Sequence, residues 1–249
     1  IKTNNFISKG QQFEIFDSAL VESENSVSIG CLQDIKKTYF NLNIDPKAYS
    51  PLLIIGNEKQ KLKLLFNSFV RDYITNNKNI NVLCLDFHPL NMDNVSSSLL
   101  KKDKIYKYSH NEKNFFRDLI KINNKLKNSK KINLLLILGL DESLSFKENI
   151  TDDIGSQTDN KTKENLLKII RERLSLNVIP IVFLRKLSNF SSVFDSLIYE
   201  NSISSDVFSR RIFMDTPQEF NYDYGSLSKY KVFYHDLEKS TQQVLTIFE

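Results

Sequence analysis

The sequence predicts an α/β fold in three layers, a mainly parallel central sheet with helices on both faces. Three observations carry this reading. Leu52–Ile55, Asn133–Leu138 and Ile179–Leu184 are short runs dense in Leu, Ile and Val, the pattern of strands buried on both faces. Apolar residues between such runs recur at three- and four-residue spacing, as in Leu62, Leu65, Phe66, Phe69, Val70 and Tyr73, the stripe of an amphipathic helix. The two patterns alternate along the chain, and alternation of this kind builds α/β domains.

Taken in order, residues 6–21 predict a short strand pair, followed by a polar linker from Glu22 to Ser26. This divides the chain into 1–26, a strand region and linker, and 27–249, the main domain. From Val27 onward the expected strands are Thr38–Leu42, Leu52–Ile55, Asn81–Asp86, Ile105–Tyr108, Asn133–Leu138, Ile179–Leu184, Arg211–Met214, Lys231–His235 and Gln243–Phe248, each apolar and bounded by turn-forming residues. Helices are expected over 62–75, 113–127 and 162–175 to cover them. Asp141–Lys161 is polar and without period, which predicts a mobile loop. The last two strands read as a hairpin around Leu237–Thr241.

Composition limits the function classes. With 249 residues, 41% hydrophobic and 26% charged, the chain is globular in character. It has no apolar run near the ~20 residues of a membrane span and no signal peptide. Opening on Ile1, it reads as a piece of something longer. The net charge of +4 is modest, and its main cluster (Lys121, Lys125, Lys127, Lys130, Lys131) fits the cation-favouring end of a helix better than a nucleic-acid stripe. No nucleic-acid partner is expected. Cys31 and Cys84 show no pairing motif and suit a reducing compartment.

The most informative segment is Gly56-Asn57-Glu58-Lys59-Gln60-Lys61-Leu62-Lys63. It follows an apolar strand and leads into a helical stripe, the setting of the phosphate-binding loop G-x-x-x-x-G-K-[ST]. Lys61 stands where the second glycine belongs, Leu62 where the phosphate lysine belongs, and Lys63 where the magnesium-binding hydroxyl belongs. A working loop needs glycine for close backbone approach, a lysine on the phosphates and a hydroxyl on Mg²⁺. The segment therefore predicts a degenerate nucleotide site with no catalytic residue. Lys59, Lys61 or Lys63 reaching in from a displaced position is the alternative.

The strand Leu134–Leu138 sits where a Walker-B strand would end in acids, yet Leu138 and Gly139 occupy those places. Asp141 and Glu142 arrive late. They read either as a shifted magnesium- and water-binding pair or as acids at the start of a turn. Cys84, Asp86 and His88 alternate along one strand, a pattern that suits a core strand better than a metal site. No metal is expected. His110 and His235 are isolated, and Arg185, Arg210 and Arg211 are either fingers toward a neighbouring subunit or ordinary salt-bridged arginines.

Several segments resemble, in order, the FtsK/SpoIIIE-type ATPase domains of type VII secretion proteins of the EssC/EccC kind. Val27-Ser28-Ile29-Gly30-Cys31-Leu32-Gln33-Asp34 is similar to the segment preceding the loop in those domains, and Gly56–Lys63 is the loop. Asn81–His88 resembles the second core strand, Ile132–Leu140 the Walker-B strand, and Ile179–Arg185 the next strand with its terminal arginine. Gln11–Leu20 is similar to the exit strand of an upstream copy in a tandem array.

The resemblance implies a RecA-like P-loop NTPase fold and the C-terminal, degenerate copy of a bacterial motor protein, a cytoplasmic domain of a membrane-anchored parent linked to virulence. It further implies secreted WXG-type helical proteins and neighbouring ATPase domains as partners, a possible hexamer in the parent, and ATP and Mg²⁺ in the parent's active domains. For this domain itself no cofactor is expected. Two other readings stay open: an active FtsK-like translocase of protein or DNA, and an unrelated α/β protein-binding domain.

Overall fold

The computed structural model describes residues 6–8, 11–13, 26–32, 38–45, 47, 50–76, 80–87, 106–109, 111, 114–115, 131–143, 157–195, 202–215 and 230–247. Strands β1 (Phe6–Ser8) and β2 (Gln11–Phe13) form a separate antiparallel pair. The main sheet holds β3 (Ser26–Leu32), β4 (Tyr39–Asn43), β5 (Leu52–Ile55), β6 (Ile80–Asp86), β7 (Tyr106–Ser109), β8 (Ile132–Leu138), β9 (Val178–Leu184), β10 (Arg210–Phe213), β11 (Lys231–Asp236) and β12 (Thr241–Ile247). Their spatial order is β4-β3-β12-β11-β10-β5-β9-β8-β6-β7.

Six strands, from β10 to β7, run parallel. The other four extend the sheet beyond β10 as antiparallel neighbours. The side chains of the parallel strands alternate between two cores. Leu52 and Ile54 join Leu134 and Leu136 on one face, under Leu62, Leu65, Phe66 and Phe69 of helix α1 (Lys59–Asn76). Leu53, Ile55, Leu135 and Ile137 face the other way, under Leu166, Leu167, Ile169 and Ile170 of α2 (Gln157–Arg171). Two-sided burial is what the unbroken apolar runs required, since burying each Leu or Ile contributes about 1.5–3 kcal/mol. The result is the predicted three-layer α/β fold.

The short helices α3 (Arg173–Leu176) and α4 (Phe190–Phe194) flank β9. Asn177, in the left-handed conformation (φ 54°), ends α3 and turns the chain into β9, a role asparagine tolerates better than most residues. The antiparallel end curls. Arg210 of β10 donates from Nη1 to the Asn43 carbonyl of β4, although three strands lie between them in the sheet order.

Two expectations need correction. Helix α1 begins at Lys59, earlier than 62, because its first turn is polar and shows no stripe. The segment expected to be a loop over Asp141–Lys161 contains a 3₁₀ turn at Leu140–Glu142 and the start of α2 at Gln157. The hairpin expected around Leu237–Thr241 joins β11 to β12. Residues 14–25, most of 113–127, Lys121–Lys130, His88, His110 and 144–156 lie outside the described residues. Among the described residues no helix is long and apolar enough to cross a membrane.

Candidate functional site

In open parallel sheets ligands bind beyond the carboxyl ends of the strands. Along that edge lie Met214 after β10, Gly56 after β5, Arg185 after β9, Gly139–Asp141 after β8 and Phe87 after β6. Their alignment follows from the register: Phe213 pairs with Ile55, Ile55 with Leu184, Phe183 with Leu138, and Leu138 with Asp86. The Gly56 N–H donates to the Leu184 carbonyl, the Gly139 N–H to Phe183 and the Phe87 N–H to Leu138. Both segments singled out by sequence therefore meet at one edge.

The turn after β5 is short. The Leu62 N–H donates to the Glu58 carbonyl at 3.0 Å, so the helical ladder starts at Glu58. Gly56 and Asn57 alone lie between the strand and that first helical acceptor. Gly56 has φ 141°, a conformation L side chains rarely adopt, and a Cβ placed there would stand 2.5 Å from the Met214 Cβ. Met214 is fully buried and is tied to the same turn by its N–H, which donates to the Ile55 carbonyl at 2.8 Å.

Lys61 is 0% exposed. Its Nζ donates to the Met214 carbonyl at 2.7 Å and pairs with a Glu58 carboxylate oxygen at 2.9 Å. Burying a charge this deeply requires hydrogen-bonding partners, and these two supply them. Leu62 also turns into the core, while Asn57, Lys59, Gln60 and Lys63 are exposed. The first turn of α1 holds no acid, so its lysines oppose the helix dipole, and Glu58 is the nearby counter-charge.

Asp141 is 2% exposed. Its carboxylate accepts from the Arg185 backbone N–H (3.2 Å), from Arg185 Nε (3.3 Å) and from Asn189 Nδ2. Arg185 also donates to the Asp141 carbonyl and lies 3.4 Å from Glu142 Oε1. Gly139, left-handed at φ 67°, starts the turn that aims Asp141 toward β9. The pair of acids is thus held by an arginine and an asparagine of the same chain.

The other candidates are scattered. Cys84 is fully buried, and burial together with nearby Asp86 pushes its thiol pKa up, the state of an inert thiol. Arg210 serves the Asn43 and Ser50 carbonyls, Arg211 those of Ser205 and Phe208. His235 lies on β11, away from the carboxyl edge, its pKa lowered by burial and then by Arg211. Among the described residues no three metal-ligating side chains come together. Sequence reasoning missed Met214 and Asn189. Neither carries a local signal, since each acts on a residue far away in sequence.

No family model matches the chain, and no curated protein matches it. Solved structures do. A structure of Thermomonospora curvata EccC (ATPases 2 and 3) in complex with a signal sequence peptide is similar at TM-score 0.62 and 10% identity, over 92% of this chain and 41% of that one. EssC (ATPases 2 and 3) from Geobacillus thermodenitrificans is similar at TM-score 0.58 and 13% identity, over 94% and 46%. The pCW3 conjugation coupling protein TcpA, in its monomer form with ATPγS, is similar at TM-score 0.57 and 13% identity, over 92% and 67%. The chain spans less than half the length of the EccC and EssC structures. It has the fold of the ATPase domains of the type VII secretion proteins EccC and EssC.

Proposed function

We propose that this chain is an ATPase-like domain of a type VII secretion motor that neither binds nor hydrolyses ATP·Mg²⁺ and acts by docking protein. The observation that carries the first half is Lys61, whose ammonium is spent inside the domain on Met214 and Glu58. Nucleotide needs a loop whose N–H groups wrap the phosphates, a lysine facing them, a hydroxyl for Mg²⁺ and a free carboxylate. Here the helical ladder starts at Glu58, Leu62 is buried, Lys63 replaces the hydroxyl, and Asp141 is held by Arg185 and Asn189. The residues do not fit ATP·Mg²⁺. A charge-assisted hydrogen bond is worth about 1.5–3 kcal/mol, and a lost transition-state donor typically costs about a hundred-fold or more in rate. Several such losses together abolish hydrolysis.

The second half rests on the fold and on the company it keeps. EccC carries such domains in tandem and was solved with a signal sequence peptide. A domain of this fold without nucleotide chemistry retains two uses, receiving a secreted helical protein of the WXG type or contacting a neighbouring ATPase domain. An amphipathic helix laid into an apolar groove is the physical form the first would take. In this reading the domain is the cytoplasmic part of a membrane-anchored parent, whose other domains supply the ATP and Mg²⁺ chemistry. Removing residues 27–249 from the parent, with its other domains intact, tests the role. Secretion should fail or lose selected substrates. Normal secretion of every substrate at normal parent abundance would contradict it.

A further inference from the structure

We draw no further inference here: the strongest candidate, the cavity of about 300 Å³ between α4 and the 3₁₀ turn Ser205–Val207, with Leu187, Phe190 and Ile203 in its lining, carries nothing because nothing in the structure shows what covers it.

Discussion

Lys61 Nζ donates to the backbone carbonyl of Met214 at 2.7 Å, across 153 positions of sequence. The bond joins the first turn of α1 to the end of β10 at the slot of a phosphate-binding loop's second glycine, one residue before the place of its lysine. Lys61→Met keeps most of the aliphatic volume and removes the donor, leaving the Met214 carbonyl and Glu58 without it. A loss of about 1–3 kcal/mol is expected, read as a lower denaturation midpoint with unchanged m-value. Glu58→Gln keeps an acceptor but removes the counter-charge of a fully buried ammonium, and should also cost about 1–3 kcal/mol. Equal, negligible effects from both changes would mean the tie does not hold the turn.

The contact between Gly56 and Met214 gives a second test. Gly56→Ala places a side chain at φ 141° and 2.5 Å from the Met214 Cβ. The backbone strain alone is about 1–3 kcal/mol, and the clash adds to it. In a Met214→Ala background the contacts with Cγ and Sδ, at 2.9 and 3.1 Å, are removed, while the Cβ contact and the strain stay. The double-mutant cycle should therefore show favourable coupling of about 0.5–3 kcal/mol. Strict additivity would contradict the packing described.

Asp141 separates a structural acid from a catalytic one. Held by Arg185 and Asn189, it should lower stability by about 1–3 kcal/mol when changed to Asn. Arg185→Lys should be nearly as costly, because an ammonium cannot reproduce the forked contacts of the guanidinium. An acid poised for Mg²⁺ or water would behave in the opposite way, its removal leaving chemical denaturation almost unchanged.

His235 predicts part of the pH dependence. Its folded pKa lies below the ordinary 6.5, so near and below that value the unfolded state binds more protons at this site. Stability contributed here is complete above 6.5 and falls as the pH drops from 6.5 through the lower folded value. A His235→Asn variant should lose less stability than the wild type between neutral pH and mild acid. Parallel pH profiles for the two proteins would contradict the burial of this ring.

The fold was legible where local pattern and tertiary demand coincide. Leu52–Ile55 is predicted and observed with the same bounds, and β8 and β9 differ from expectation by one residue at the start. Two-sided burial writes itself as an unbroken apolar run. The helix starts were not legible, because Lys59–Lys61 and Gln157–Lys163 are polar turns with no stripe. The site was half legible. Spacing located Gly56–Lys63 and Asp141–Glu142, and the register brings both to one edge. The inward turn of Lys61 depends on Met214, and the engagement of Asp141 on Arg185 and Asn189, 44 and 48 positions away. Contacts at that separation leave no mark on spacing.

Calorimetric titration of the chain with ATP in the presence of Mg²⁺ tests the central claim most directly. With Lys61 turned onto Met214 and Asp141 held by Arg185, no saturable heat is expected up to millimolar nucleotide. A micromolar dissociation constant, lost on changing Lys59 or Lys63, the two exposed lysines of the segment, would show that a displaced lysine serves the phosphates and would contradict the account.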